Sequence, residues 1–192
     1  DELTVDPVDL RKQILKLGGS LSLVLLGNCN YLSGQKFDFK DIVETAHSVG
    51  AKVGFNLAHG AGNLQMHLHD WNVDFAVWCS EKYLNAGPGG IAGAFVHNNH
   101  LGRTDLPRFA GWWGHNKDTR FKMGAEFEPL STVEAWQLSN PPIFQLASLR
   151  ASMELFDEAR MDRLRAKGDK LTSYFEFLLH KNLKEIVEVV TP

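Results

Sequence analysis

Four short apolar runs, at residues 21–26, 51–55, 74–79 and 91–97, are separated by helical patterns or polar turns. Strands that alternate with helices are joined by crossovers, and crossovers give a largely parallel sheet with helices on its faces. The fold class expected is therefore α/β. Asp6 can cap a helix with Pro7 at its first position, Leu10, Ile14 and Leu17 share one face, and Gly18-Gly19 stops it. The run at 21–26 is almost wholly apolar, as in a strand covered on both faces. Ile42, Val43, Ala46 and Val49 make the stripe of a second helix that ends at Gly50.

Beyond residue 97 the periodicity weakens. Residues 98–139 carry several Gly, Trp and charged positions, which reads as a binding region or an interface. Pro141-Pro142 opens a helix to about 159, with Leu149, Met153 and Phe156 on one side. A second helix follows over 161–179, with Leu164, Leu171, Tyr174 and Leu178 inward and Arg and Lys on its solvated face. Residues 185–190 read as a last strand, expected to find partners in chain beyond these residues.

Composition narrows the function classes. With 44% hydrophobic and 22% charged residues, the 192-residue chain has the make-up of a globular protein with a buried core. A net charge of −3 leaves no basic footprint for nucleic acid, and no apolar run reaches membrane-spanning length. Cys29 and Cys79 have no metal-ligand spacing and read as thiols of a reducing compartment, the cytoplasm by expectation. His67 and His69 alternate on an extended segment and could share one ion, but the third ligand a zinc site needs is missing, so no metal is expected.

Residues 73–90 hold the main chemical signal. A strand-like run delivers Lys82 into a turn containing Gly87, Pro88, Gly89 and Gly90. A lysine amine forms Schiff bases with carbonyl compounds, and pyridoxal phosphate is its usual partner. Ligands of parallel sheets bind beyond the strand carboxyl ends, where Asn56, His59 and Lys82 all fall. Arg120 and Lys122 could pair with a phosphate or a carboxylate, or be surface charges.

Several segments then recur together: Asn56-Leu57-Ala58-His59, Leu68-His69-Asp70-Trp71, Lys82-Tyr83-Leu84-Asn85-Ala86-Gly87, Gly111-Trp112-Trp113-Gly114-His115 and Ser139-Asn140-Pro141-Pro142. In this order and at these separations the chain resembles kynureninase, a pyridoxal-phosphate hydrolase of the aspartate-aminotransferase-like fold. The resemblance implies that residues 1–141 are part of a cofactor-binding large domain, and that 142–192 are connecting helices leading into a small α+β domain. It implies cleavage of L-kynurenine, or its 3-hydroxy form, to anthranilate (or 3-hydroxyanthranilate) and alanine, a step of tryptophan catabolism and NAD biosynthesis. Lys82 would be the catalytic residue and cofactor anchor, with Asn56, His59, Trp112 and Asn140 around the cofactor. In such folds some of these residues cross from a second subunit, so a homodimer is implied.

Three positions depart from the family pattern. Asn56 stands where an aspartate pairs with the pyridine nitrogen, Glu81 where a tyrosine helps hold the phosphate, and Gly27 where a serine is expected. A catalytically impaired relative kept for binding or structure is therefore an alternative. So is another enzyme of the same fold, such as a cysteine desulfurase or an aminotransferase.

Overall fold

The computed structural model describes residues 3–192. Its centre is a four-stranded sheet in the order β1 (Leu23–Gly27), β2 (Lys52–Asn56), β3 (Phe75–Trp78), β4 (Gly93–Val96). The first three strands are parallel, with Leu25 beside Gly54 and Gly54 beside Phe75. Strand β4 runs antiparallel to β3, pairing Phe75 with Val96 and Trp78 with Gly93. No helix forms in either connection, between Asn56 and Phe75 or between Trp78 and Gly93, yet only the first crosses over to a parallel neighbour while the second returns as an antiparallel one.

Two helices cover one face of the sheet. Helix α1 (Pro7–Leu17) starts where the Asp6 carboxylate accepts the Val8 N–H at 2.7 Å. It ends at Gly18, whose φ of +53° suits a residue without Cβ. Helix α2 (Phe39–Ser48) is capped by Asp38, which accepts the Asp41 N–H. Ile14 of α1 and Ile42, Val43 and Ala46 of α2 bury against Val24, Val53, Phe55 and Ala76. Phe39 stacks on Phe55 at 4.1 Å between ring centroids, and Trp71 meets Phe39 edge-on.

The opposite face stays open. Leu23 and Leu25 are 45% and 55% exposed, and Val77 on the same face is 45% exposed. The reading of 21–26 as covered on both sides therefore holds for one side only, since strand residues alternate between faces. Above Gly54 on this open side lies the ring of Phe75, so close that a Cβ at 54 would meet it at 2.2 Å.

Helices α3 (Ile143–Ala159) and α4 (Met161–Leu183) complete the ordered elements. Leu164, Leu171 and Tyr174 are exposed rather than inward and Leu178 is half-buried, because α4 leaves most of its surface in solvent. Residues 185–190 are not a strand: Ile186 and Val187 donate backbone bonds to Leu183, and the segment has no paired neighbour strand. A strand's backbone groups need such a neighbour to be satisfied. No helix among the described residues is long and apolar enough to cross a membrane.

Candidate functional site

At the carboxyl edge the ends of the three parallel strands meet. Gly27 of β1 lies beside Asn56 of β2, which lies beside Val77 of β3. Pairing continues past the strands: Asn28 donates to the Asn56 carbonyl at 3.1 Å, and Leu57 to the Val77 carbonyl at 2.8 Å. The loops that follow are thereby held side by side.

The loop after β2 folds tightly. Asn56 Oδ1 accepts the Ala58 N–H at 3.0 Å, which leaves the amide NH2 as a donor. His59 is half-buried and its ring meets Tyr83 edge-on at 6.0 Å. Glycine is required at two close approaches. A Cβ on Gly60 would meet the Asn28 amide at 2.9 Å, and one on Gly62 would lie 2.7 Å from the Tyr83 carbonyl oxygen. The His59 loop and the Lys82 loop therefore pack backbone against backbone.

Lys82 sits in the turn after β3 with its side chain 41% exposed. Its Nζ lies 2.7 Å from Glu81 Oε1 and 3.2 Å from Cys79 Sγ. The hydrogen bond to Glu81, and then that to Cys79, raise the amine above the ordinary lysine range. In return the bond from Lys82 holds the Glu81 carboxyl at about 2. A site that condenses an amine with an aldehyde calls for a depressed pKa. The structure shows the reverse, and the cause is the carboxylate at position 81.

The turn itself is closed at its base. Ala86 donates to the Ser80 carbonyl at 3.0 Å, and the buried Ser80 hydroxyl donates to the Ile91 carbonyl at 2.5 Å. Asn85, Gly87 and Gly89 take positive φ, so the chain reverses direction in three steps.

Trp112 and Asn140 lie on other segments. The Trp112 ring faces Trp113 and Phe121, with the Arg120 guanidinium over both tryptophans at 5.6 and 5.2 Å. Arg120 also donates to the Trp113 and His115 carbonyls, so it braces this segment from within. Lys122 is exposed. Asn140 is exposed and accepts a hydrogen bond from the Ser139 hydroxyl. His67 and His69 each approach Asp70, at 3.9 and 3.5 Å, and no group of three or more metal-type ligands gathers among the described residues.

The opposite edge holds a cluster that the sequence did not announce. Asp74, buried before β3, accepts from His47 at 2.8 Å, His100 at 2.5 Å, Lys52 at 3.2 Å and the Val53 N–H at 2.8 Å. Burial opposes its ionisation, yet the bonds from His47, Val53, His100 and Lys52 together outweigh that and hold it at about 2. Its one visible signal was a charged residue opening an otherwise apolar run.

Comparisons with known proteins agree with this architecture. The aminotransferase class-V family model matches residues 4–191. The chain is 57% identical to a kynureninase of Myxococcus xanthus, covering 100% of this chain and 45% of that protein. It is 51% identical to a kynureninase of Koribacter versatilis, with the same two coverages. The chain thus spans about half the length of the curated relatives it matches. Among solved structures, a cysteine desulfurase of Escherichia coli is similar with a TM-score of 0.70 at 19% identity, over 91% of this chain and 42% of that one. A cysteine desulfurase of Thermococcus onnurineus gives 0.71 at 17% identity, over 94% and 43%. At such identities the shared feature is the fold.

Proposed function

We propose, from the premise that the chain belongs to the aminotransferase class-V family, that it forms part of a kynureninase-like, pyridoxal-phosphate-dependent hydrolase. The substrate would be L-kynurenine or 3-hydroxykynurenine, split between Cβ and Cγ into alanine and the anthranilate product. The single observation that carries this reading is the turn bearing Lys82, which follows β3 and packs against the His59 loop through the Tyr83 backbone at Gly62. The named relatives at 51–57% identity favour a kynureninase over a desulfurase.

The donor set fits the ring end of the cofactor. Lys82 would offer an amine for its aldehyde, His59 a flat ring in the neighbouring loop, and Asn56 an amide donor at the strand end. When bound, pyridoxal phosphate supplies a carbonyl that captures amines and a ring that stores the electron pair released at the substrate's Cα. The Lys82 amine, once freed from Glu81, moves the proton at that Cα. Trp112 and Asn140 would meet the cofactor across an interface with a second copy of the chain, so the working enzyme is a homodimer in this reading. The phosphate-holding residues and the arginine for the substrate carboxylate would come from the rest of the protein. The cytoplasm is the compartment this chemistry and the two free thiols suit.

A second reading has its own support. The Glu81–Lys82 ion pair and the neutral amide at 56 both weaken the electrostatics the reaction needs. A hydrogen bond to a charged partner contributes about 1.5–3 kcal/mol, so an amide in place of a carboxylate slows proton abstraction by about 10- to 100-fold. The protein would then be an impaired relative kept for binding or structure.

The deciding experiment is a visible spectrum of the full-length protein with added pyridoxal phosphate, repeated with Lys82→Ala. A band near the visible edge in the parent and none in the variant supports the reading. The same band in both, or in neither, removes Lys82 from its role.

A further inference from the structure

We propose that Ser148 and Ser152 of α3 are positioning residues for Lys82, acting through the backbone of its loop; the functional part of this rests on the reading of Lys82 above. The Ser148 hydroxyl donates to the Ala86 carbonyl at 2.6 Å, and the Ser152 hydroxyl donates to the Leu84 carbonyl. The two serines are one helical turn apart and so share a face. Both bonds reach across more than sixty positions of sequence, with separations of 62 and 68.

Serines usually spend their hydroxyls locally, on a carbonyl three or four residues back. Ser20 and Ser48 in this chain do so, donating to Leu17 and Thr45. Ser148 and Ser152 do not. Their acceptors belong to buried residues, with Leu84 7% and Ala86 3% exposed, where an unmet carbonyl is costly. The loop is already closed at its base by Ser80, so these two bonds fix its far side. Between the two anchorages stands Lys82, and the reach of its amine is set by both.

The clamp also links two parts of the site. Helix α3 opens at Ile143, directly after the segment carrying Asn140. A shift of that segment would be passed along α3 to the Leu84 and Ala86 carbonyls, and from them to the lysine. Helix α4 grips the neighbouring loop in the same manner, with Arg165 donating to the Asn63 carbonyl at 3.2 Å.

The test uses the full-length protein carrying Ser148→Ala with Ser152→Ala, and the matching pair of Ser→Thr substitutions that keep the hydroxyls. Hydrogen exchange without cofactor is followed over residues 80–90 and over β2 as control. The alanine pair should speed exchange in 80–90 by about tenfold and leave β2 unchanged, while threonine restores the parent rate. With pyridoxal phosphate bound, the pH midpoint of its visible absorbance should move in the alanine pair, and kcat should fall by about tenfold with KM within about twofold. Exposed Ser148→Ala alone should give a smaller change in the same direction. Unchanged exchange over 80–90 in the alanine pair overturns the proposal, as does an equal effect of alanine and threonine. Because exchange is read without the cofactor, it judges the clamp even if Lys82→Ala removes the functional reading.

Discussion

Glu81 holds the amine of Lys82, with Oε1 2.7 Å from Nζ and Cys79 Sγ 3.2 Å from the same nitrogen. The side chains are 41% and 37% exposed, so the pair adds little to stability. Its consequence is chemical. The carboxylate favours the ammonium form, and an ammonium has no lone pair with which to attack a carbonyl.

Replacing the carboxylate should therefore free the amine. Glu81→Gln in the full-length protein is expected to speed loading of pyridoxal phosphate near neutral pH by about threefold to tenfold. Stopped-flow absorbance measures it directly. A rate equal to or below the parent's would show that Glu81 turns away from Lys82 before the cofactor arrives.

Restoring both family residues probes the impaired-relative reading. Asn56→Asp together with Glu81→Tyr should raise kynurenine hydrolysis by about 10- to 100-fold in steady-state assays. A fall in activity would mean that the rest of the site has adapted to the amide and the carboxylate.

Asp74 ties α2, β2, β3 and the turn after β4 into one cluster, and its effect on stability has a definite sign. Its folded pKa of about 2 lies below the unfolded carboxylate value. The stability it contributes is fully present above about pH 4 and is lost as the pH falls toward about 2. That contribution is about 2–3 kcal/mol at neutral pH. Asp74→Asn should lower the unfolding midpoint at neutral pH and flatten its decline between those two values. A variant that keeps the parent's acid slope would place the titrating group elsewhere.

The core makes a simpler demand. Phe55 is fully buried and stacked on Phe39. Phe55→Ala should destabilise the protein by about 3–5 kcal/mol, through lost burial and the cavity left behind. Denaturant titration with unchanged slope would report it; a loss under about 1 kcal/mol would mean that Phe39 and Trp71 collapse into the space.

Most of the framework was legible in the residues because each early element carries its own signals. Asp6 caps its helix as read, Ile14 and Leu10 of α1 and Ile42, Val43 and Ala46 of α2 face the sheet, and Leu17 of the expected α1 stripe is exposed instead. The direction of β4 was not visible, because the connections before β3 and before β4 are both irregular and helix-free, yet the first leads to a parallel strand and the second to an antiparallel one. Residues 185–190 have strand composition without a strand, because composition supplies side chains and only a neighbour supplies hydrogen bonds. At the site, the positions of Asn56, His59 and Lys82 followed from reading strand ends. Contacts between distant segments could not be read that way: His47, Lys52 and His100 on Asp74, and the serines of α3, share no spacing that marks them.

The open side of the sheet carries a practical consequence. Leu23, Leu25 and Val77 form an apolar wall that water contacts directly. A polypeptide limited to these residues would be sticky in solution, prone to self-association and to uptake of hydrophobic dyes.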